Sequence, residues 1–299
     1  MSDLNPQSTL YDASTGVGGG FASFPIVLPP AVERAERSVG QKLTAPSRDV
    51  PLPVDRCRIW GVDFDRVTMD QAVERIDGFI DTRANTYAIT ANLNYLMLCD
   101  GNPRLAAFTA ACPLVLCDGK PIEWRSRFDR RPLPERVAGA DLIYALSALS
   151  AAKGYSLYLL GAAEGVAAEA ASRLTARFPG LQIAGVDCPP FGDWSERQRS
   201  QINRRITDAR PDILLVAFGQ PKGEYWIEDN FRELGVPVSI QVGASFDFVV
   251  GRSNRAPTAL QRIGAEWLYR ACFEPKRLVP RYAANLRYLF KSLRREWAS

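Results

Sequence analysis

The stretch Pro211–Leu234, PDILLVAFGQPKGEYWIEDNFREL, decides the fold class. Its first part, ILLVAF, is an apolar run of the length of one buried strand, and its last part has the apolar spacing of a helix. Gly219 and Pro221 separate the two parts, as expected for a turn. A strand that leads directly into a helix is the unit from which parallel sheets are built.

The same alternation extends along most of the chain. Short runs such as TYAITA, SLYLLG and VSIQVG alternate with helical patterns of about 10 to 15 residues. A capping box, Thr68 to Gln71, marks one helix start, and Gly180 and Gly235 stand where helices should end. These patterns predict an α/β fold with a mostly parallel sheet flanked by helices.

The composition limits the class of protein and its chemistry. The chain has 299 residues, of which 46% are hydrophobic, as a globular core requires. No window approaches the roughly 20 apolar residues of a spanning helix. The six cysteines form no CxxC pair, and the N-terminus has no secretory signal, so we expect reduced thiols and a bacterial-type cytoplasm. Because the chain has no histidine, acid-base chemistry falls to a carboxylate, lysine, tyrosine or cysteine.

Three regions differ in composition. Residues 1–52 are rich in Gly, Ser and Pro and predict a mostly disordered leader, residues 53–251 form the α/β core, and residues 252–299 form a basic C-terminal appendage. The appendage has eleven basic and three acidic residues, a net +8, so the rest of the chain, at +4 overall, carries −4. This charge indicates a phosphate-rich partner or an anionic membrane surface, and nucleic acid is less favoured because stacking aromatics are not interleaved.

The last helix is amphipathic. Its apolar residues repeat at helical spacing, while Arg287, Lys291, Arg294 and Arg295 lie off the stripe. The pattern is typical of a helix that docks on a membrane surface, and equally of one that faces the core. The stripe consists of Tyr282, Leu286, Leu289, Phe290, Leu293 and Trp297.

Polar residues and glycines collect where the predicted strands end. Ligands bind outside the carboxyl ends of parallel strands, so this rim is the expected site. Asp118 is a candidate general base there, although Asp-Gly is also a common turn, and Asn92 or Asn94 could cap a helix instead. The rim residues are Thr90, Asn92, Asn94, Asp118, Gly119, Gly161, Gly219, Gln220, Pro221 and Gly243.

Two other motifs carry weaker signals. Asp63 and Asp65 form a DxD, which would hold a divalent metal in many sugar transferases, but the motif leads straight into a capped helix. Gly161 and Gly165 could hold a diphosphate on backbone amides, yet the full GxGxxG is missing and Asp187 is a poor ribose-binding acid.

Seven blocks in order resemble the WecG/TagA/CpsF family of bacterial glycosyltransferases: TANLNYL, DGKP, ERVAGADLI, YLLGAAEG, PDILLVAFGQPKGEYWI, VGASFDFVVGRSNRAP and EWLYRACFEPKRL. The resemblance covers Cys57 to Arg281. It implies a Rossmann-like core and an inverting transfer from a UDP-sugar to a polyprenyl-diphosphate-linked sugar, without metal or other cofactor. It also implies a peripheral position on the inner face of the cell membrane, held by an appendage that helps complete the active site.

The resemblance also implies roles for residues. Asp118 corresponds to the base, with Thr90 and Asn92 beside it. The acceptor or diphosphate would be bound by Arg136, Asp141, Arg270, Arg277 and Arg281. The donor would be bound by Gly161, Gly219, Gln220, Lys222, Glu224, Gly243 and Asp247.

Two departures from the family pattern concern the donor sugar. The family usually has PKQE where this chain has Pro221–Glu224, PKGE. Where the family has a GG pair before the Phe-Asp of the next block, this chain has Gly243, Ala244 and Ser245. The alternatives are a DxD metal-dependent transferase, a nicotinamide oxidoreductase, and a non-catalytic membrane-associated nucleotide-sugar-binding protein. The identity of the donor sugar and the oligomeric state, a homo-oligomer included, stay open.

Overall fold

The computed structural model of the chain describes residues 55–190, 192, 194–253, 256–257, 260 and 264–298, and the predicted leader 1–52 lies outside them. The strands are β1 (Arg56–Ile59), β2 (Val62–Asp65), β3 (Thr86–Ala91), β4 (Leu114–Cys117), β5 (Ser156–Gly161), β6 (Gln182–Asp187), β7 (Ile213–Ala217) and β8 (Val238–Gln241). The helices are α1 (Met69–Asp81), α2 (Leu93–Asp100), α3 (Pro103–Ala110), α4 (Lys120–Ser126), α5 (Gly139–Lys153), α6 (Val166–Arg177), α7 (Glu196–Ala209), α8 (Lys222–Leu234), α9 (Ser245–Val249), α10 (Glu266–Phe273) and α11 (Pro275–Trp297).

Six strands form one parallel sheet in the order β4-β3-β8-β7-β5-β6. The predicted α/β fold with a mostly parallel sheet is therefore confirmed. The last strand, β8, lies in the middle, between β3 and β7. The carboxyl ends of these three neighbouring strands open onto one crevice, which is where a doubly wound sheet binds ligands.

Helices cover both faces of the sheet, and two cores lie between them. Alternate strand residues point to opposite faces, so Leu214 and Val216 pack into one core while Ile213 and Leu215 pack into the other. One core is covered by α1, α5, α6 and α9; the other is covered by α2, α3, α4, α7 and α8. Burial on both faces explains why the strands are apolar throughout.

The first strand-like run of the sequence, CRIWGV, does not belong to this sheet. It forms part of an antiparallel hairpin of β1 and β2. The turn residues Trp60 and Gly61 have φ of 45° and 88°, the left-handed values that a two-residue hairpin needs. The chain therefore reverses at once, and no helix follows β1.

The two aspartates of the DxD motif lie on this hairpin. Asp65 is buried, accepts a hydrogen bond from the backbone N of Val115 (2.8 Å), and pairs with Arg56 and Arg75. Asp63 pairs with Arg58 at 2.9 Å. In the part of the chain that the structure describes, no three His, Cys, Asp or Glu side chains group as a metal site requires. Asp65 thus joins the hairpin to α1 and β4.

Helices α10 and α11 form the appendage, and α11 packs on α2. Its buried polar face includes Asn285 and Ser292, and ion pairs join it to the core: Arg295 with Asp100 (2.9 Å) and Glu296 with Arg125 (2.7 Å). The predicted boundary at residue 252 stays a prediction. None of the helices described here is long and apolar enough to cross a membrane.

The apolar stripe of α11 divides between two environments. Tyr282, Leu286 and Leu289 line a cavity, described below, while Phe290 and Trp297 leave 64% and 90% of their surface exposed. A separate set of residues, around Tyr288, makes the buried contact with the core. The stripe is thus divided between the cavity and the solvent.

Candidate active site

A cavity of about 530 Å³ lies between the carboxyl edge of the sheet and the appendage. Both parts of the chain contribute to its wall, so the appendage closes a crevice that the sheet leaves open. The predicted site residues in its lining are Thr90, Asn92, Asp118, Arg136, Gly219, Gln220, Gly243, Asp247, Arg270, Arg277 and Arg281.

Asp118 is placed at the rim by the sheet itself. It follows β4, and its backbone N donates to the carbonyl O of Ala91 at 2.9 Å, which continues the pairing with β3 by one residue. A Cβ on Gly119 would make an ordinary contact with the Cα of Asn92 (3.5 Å) and a tight one with the side chain of Ile122 (3.3 Å). The carboxylate therefore stands at the cavity wall beside the end of β3.

Thr90 and Asn92 have structural contacts as well as a place in the wall. The Thr90 hydroxyl donates to the carbonyl O of Gln241 (3.1 Å) and so joins β3 to β8. Asn92 caps α2, its side-chain oxygen accepting from the backbone N of Tyr95 at 3.1 Å. This is the capping role that sequence reasoning left open. The side-chain Nδ2 of Asn94 donates to the side-chain oxygen of Gln220 at 3.0 Å, and this bond ties the loop after β7 to α2.

Three arginines of the appendage line the cavity. Arg270 lies 5.0 Å above the ring of Phe248, and its buried Nε has no hydrogen-bond partner. Arg277 donates from Nε to Glu274 at 2.6 Å. Although part of Arg281 remains accessible, burial lowers its pKa, and the charges of Arg270 and Arg277 lower it further. A cluster of like positive charges on a cavity wall favours an anion.

Acidic residues limit where that anion can sit. Asp247 lines the same cavity, and burial raises its pKa, while the nearby arginines, among them Arg277, oppose the rise. Arg136 is engaged between core and appendage: it donates to Glu266 at 3.2 Å and lies 3.9 Å from Asp141. Arg136 therefore joins α10 to the start of α5.

Four predicted site residues lie outside the cavity lining. Gly161 is packed against β7, where a Cβ would come within 2.8 Å of the Ala217 carbonyl. Lys222 contacts the carbonyl of Gly192 and stacks on Trp194 instead. Asp141 and Glu224 are buried, Glu224 completely. The site roles of these four residues stay predictions, since the residues lie outside the lining of this cavity.

Sequence reasoning missed several lining residues on the appendage. Trp267 and Tyr282 form an aromatic wall with ring centroids 5.7 Å apart. Asn285 is buried on the cavity side of α11, and its side-chain oxygen has no hydrogen-bond partner. Trp267 and Arg270 are three apart on α10, a spacing that could have indicated one shared face.

Glu224 makes stability depend on pH. Burial raises the pKa of this carboxyl from 4.5 to about 7, opposed only in part by its own backbone N–H and by Gln241, and neither oxygen has a hydrogen bond of good geometry. The folded state therefore favours the protonated acid. Its stabilisation is complete below pH 4.5 and is lost as the pH rises through 7.

We predict that Glu224→Gln removes this dependence. Between pH 5.5 and 8.5 wild type should lose on the order of 2 kcal/mol more unfolding free energy than the variant, from the part of the pKa shift that lies above pH 5.5. Urea unfolding at both pH values measures the difference. If wild type and variant lose the same unfolding free energy over this pH range, ionisation of Glu224 does not destabilise the fold.

Comparison with known proteins identifies the chain. Its residues 57–299 match the model of the glycosyl transferase WecG/TagA/CpsF family. An N-acetylglucosaminyldiphosphoundecaprenol N-acetyl-beta-D-mannosaminyltransferase of Bacillus spizizenii is 30% identical over 199 residues, which are 67% of this chain and 76% of that protein. A Staphylococcus aureus protein of the same name is 27% identical over 238 residues, 79% of this chain and 91% of that protein. The chain therefore belongs to the WecG/TagA/CpsF family of glycosyltransferases.

Proposed function

We propose that this glycosyltransferase moves a hexose-type sugar, with inversion, from a UDP-sugar to a polyprenyl-diphosphate-linked sugar, as a step in the assembly of a bacterial surface or exopolysaccharide. One observation carries the proposal: Asp118 and the three appendage arginines line the same cavity. A base and a binding site for a diphosphate leaving group are the two elements that such a transfer needs. The printed names of the relatives support an acceptor of this chemical class.

In the proposed reaction, Asp118 takes the proton from the acceptor hydroxyl as that oxygen attacks the anomeric carbon. The bond from that carbon to the UDP oxygen breaks on the opposite face, so the configuration inverts. The departing diphosphate gains negative charge. Arg270 and Arg281 meet this charge with guanidinium forks, whose geometry matches phosphate oxygens.

The arginines offer a metal-independent way to stabilise the leaving group. The DxD alternative depends on Asp63 and Asp65, which lie on the β1/β2 hairpin, and neither residue lines the cavity. Asp65 is buried against two arginines and the Val115 amide. The hairpin therefore does not present a pair of free carboxylates to the donor.

The identity of the donor can be tested directly. UDP release should be measured over a panel of UDP-sugars with a short-chain polyprenyl-diphosphate-linked N-acetylglucosamine. We expect one or a few donors to give acceptor-dependent release. Acceptor-independent binding of UDP with no release from any donor would instead favour the non-catalytic nucleotide-sugar-binding protein.

We also propose that the protein acts peripherally on the inner face of the cell membrane, bound through α11. Phe290 and Trp297 are exposed on this helix, next to the basic residues Arg294 and Arg295. An apolar side chain inserts at the lipid interface, and each basic residue near an anionic surface adds about 1 kcal/mol. The same protein would then be found both in the cytoplasm and at the membrane.

We predict that wild type co-sediments with anionic liposomes and detaches only partly in high salt. Phe290→Glu combined with Trp297→Glu should detach even in low salt, since the apolar contact is lost and two negative charges are added. Both side chains are exposed, so the melting temperature should stay near wild type. The matched control is Phe128→Glu, which replaces a highly exposed aromatic residue outside the appendage. If the control variant detaches from the liposomes as fully as the double variant does, α11 is not the membrane contact.

A further inference from the structure

One buried residue joins three segments of the cavity wall. Gln241 is the last residue of β8 and is 2% exposed. Its side-chain N donates to the carbonyl O of Phe218 at 3.0 Å, and its side-chain O accepts from the backbone N of Gly243. Its own carbonyl accepts from Thr90. The loop after β7 and the loop after β8 are therefore held at a set separation by one amide group.

The space for this side chain comes from a glycine. Gly223 lies in the first turn of α8, and a Cβ there would be 2.6 Å from the side-chain N of Gln241 and 3.1 Å from its Cγ and Cδ. The φ of Gly223 is not in the left-handed region, so the backbone does not demand glycine. A glycine within a helix costs about 1 kcal/mol relative to alanine. The steric reason for Gly223 is thus the Gln241 amide.

The departure from the family pattern at Gly223 therefore has a counterpart on the neighbouring strand. Gly223 has no side chain, and the amide that fills the space beside it comes from Gln241 on β8. The side chain of Gln220, in the loop after β7, does not fill this space, because its oxygen accepts a hydrogen bond from the side-chain N of Asn94.

We propose that Gln241 is a positioning residue for the donor site and that Gly223 and Gln241 form a size-matched pair. The proposal rests on the proposed function, because the two loops that Gln241 joins, at Phe218 and Gly243, line the cavity assigned to the UDP-sugar. Gln241 sets the separation of these loops and so the fit of the donor. The chemical step is left to Asp118 and the arginines.

The test compares three variants with wild type. Gln241→Leu keeps about the same side-chain volume and removes the side-chain hydrogen bonds. Gly223→Gln adds an amide where Gln241 leaves no room. The double variant, Gly223→Gln with Gln241→Ala, moves the glutamine side chain from position 241 to position 223. Calorimetry measures the Kd of UDP, steady-state kinetics measures KM for the donor and kcat, and thermal unfolding measures Tm. Gln241→Met, with an unbranched side chain, replaces the leucine variant if that protein does not fold.

We expect Gln241→Leu to raise the donor KM and the Kd of UDP about tenfold, the usual consequence of losing a buried hydrogen bond, with a smaller change in kcat. Gly223→Gln should lower Tm and weaken UDP binding through overpacking, and the double variant should recover much of both.

Two different results would overturn the proposal, one through the Gly223–Gln241 pair and one through the proposed function. If Gln241→Leu binds UDP and donor like wild type, or if the double variant is no better than Gly223→Gln, the pair does not position the donor. If wild type itself binds no UDP, the proposed function fails, and the donor role of Gln241 fails with it.

Discussion

Replacing Asp118 by asparagine should lower kcat by about 10²- to 10⁴-fold, the range typical of a general base. The variant keeps the shape of the side chain and the backbone bond to Ala91, so the rim should be undisturbed. UDP binding and Tm should stay close to wild type. Single-turnover transfer to a soluble acceptor analogue, with UDP titration on the same sample, measures both quantities.

The control for this variant is Asp208→Asn. This variant makes the same chemical change on the exposed surface of α7, where Asp208 pairs with Arg204 at 3.5 Å. Its kcat should equal that of wild type. Near-normal turnover of Asp118→Asn would remove Asp118 from the mechanism, and the base would have to be sought at Asp247 or Glu266, which also line this cavity.

Arg281→Ala should lower kcat and kcat/KM together, by about 10²-fold, because it removes charge stabilisation made mainly in the transition state. The same substitution should leave the stability of the folded protein unchanged or raise it slightly. Arg281 is exposed and lies among the like charges of Arg270 and Arg277, so truncation removes little packing and some repulsion, and Tm should stay near or slightly above that of wild type. Loss of activity without loss of stability is the distinguishing outcome.

Two matched variants complete this experiment. Arg287→Ala removes an exposed arginine from the same helix outside the cavity lining and should leave kcat unchanged. Arg277→Ala should cost less than Arg281→Ala, since Glu274 already pairs with Arg277. A fall in Tm with unchanged kcat for Arg281→Ala would make Arg281 a structural residue.

Much of this site was predictable because it depends on the sheet. A parallel strand places the residue that follows it at the carboxyl edge, so Asp118 and Gly219 could be assigned from local patterns alone. The resemblance added the appendage arginines. Neither the burial of Glu224 nor the packing of Gly161 could be predicted, because both depend on how far the β7 and β8 segments approach their neighbours.

The unpredicted parts of the fold have physical causes as well. The reversal at Trp60 needs two consecutive left-handed residues, and tryptophan is not a residue that signals one. The stripe of α11 has one helical period but two environments, since the cavity and the solvent both adjoin it. Periodicity shows that residues share a face, and tertiary packing decides what that face contacts.

We propose that arginines take the place of a metal in transfer from a UDP-sugar to a polyprenyl-diphosphate-linked sugar. The most direct measurement is the formation of the lipid-linked product from a radiolabelled donor, by wild-type enzyme in excess EDTA and again with added Mg²⁺ or Mn²⁺. We predict the same rate in both conditions and a product of inverted anomeric configuration. Product that forms only when the divalent metal is restored would contradict the claim.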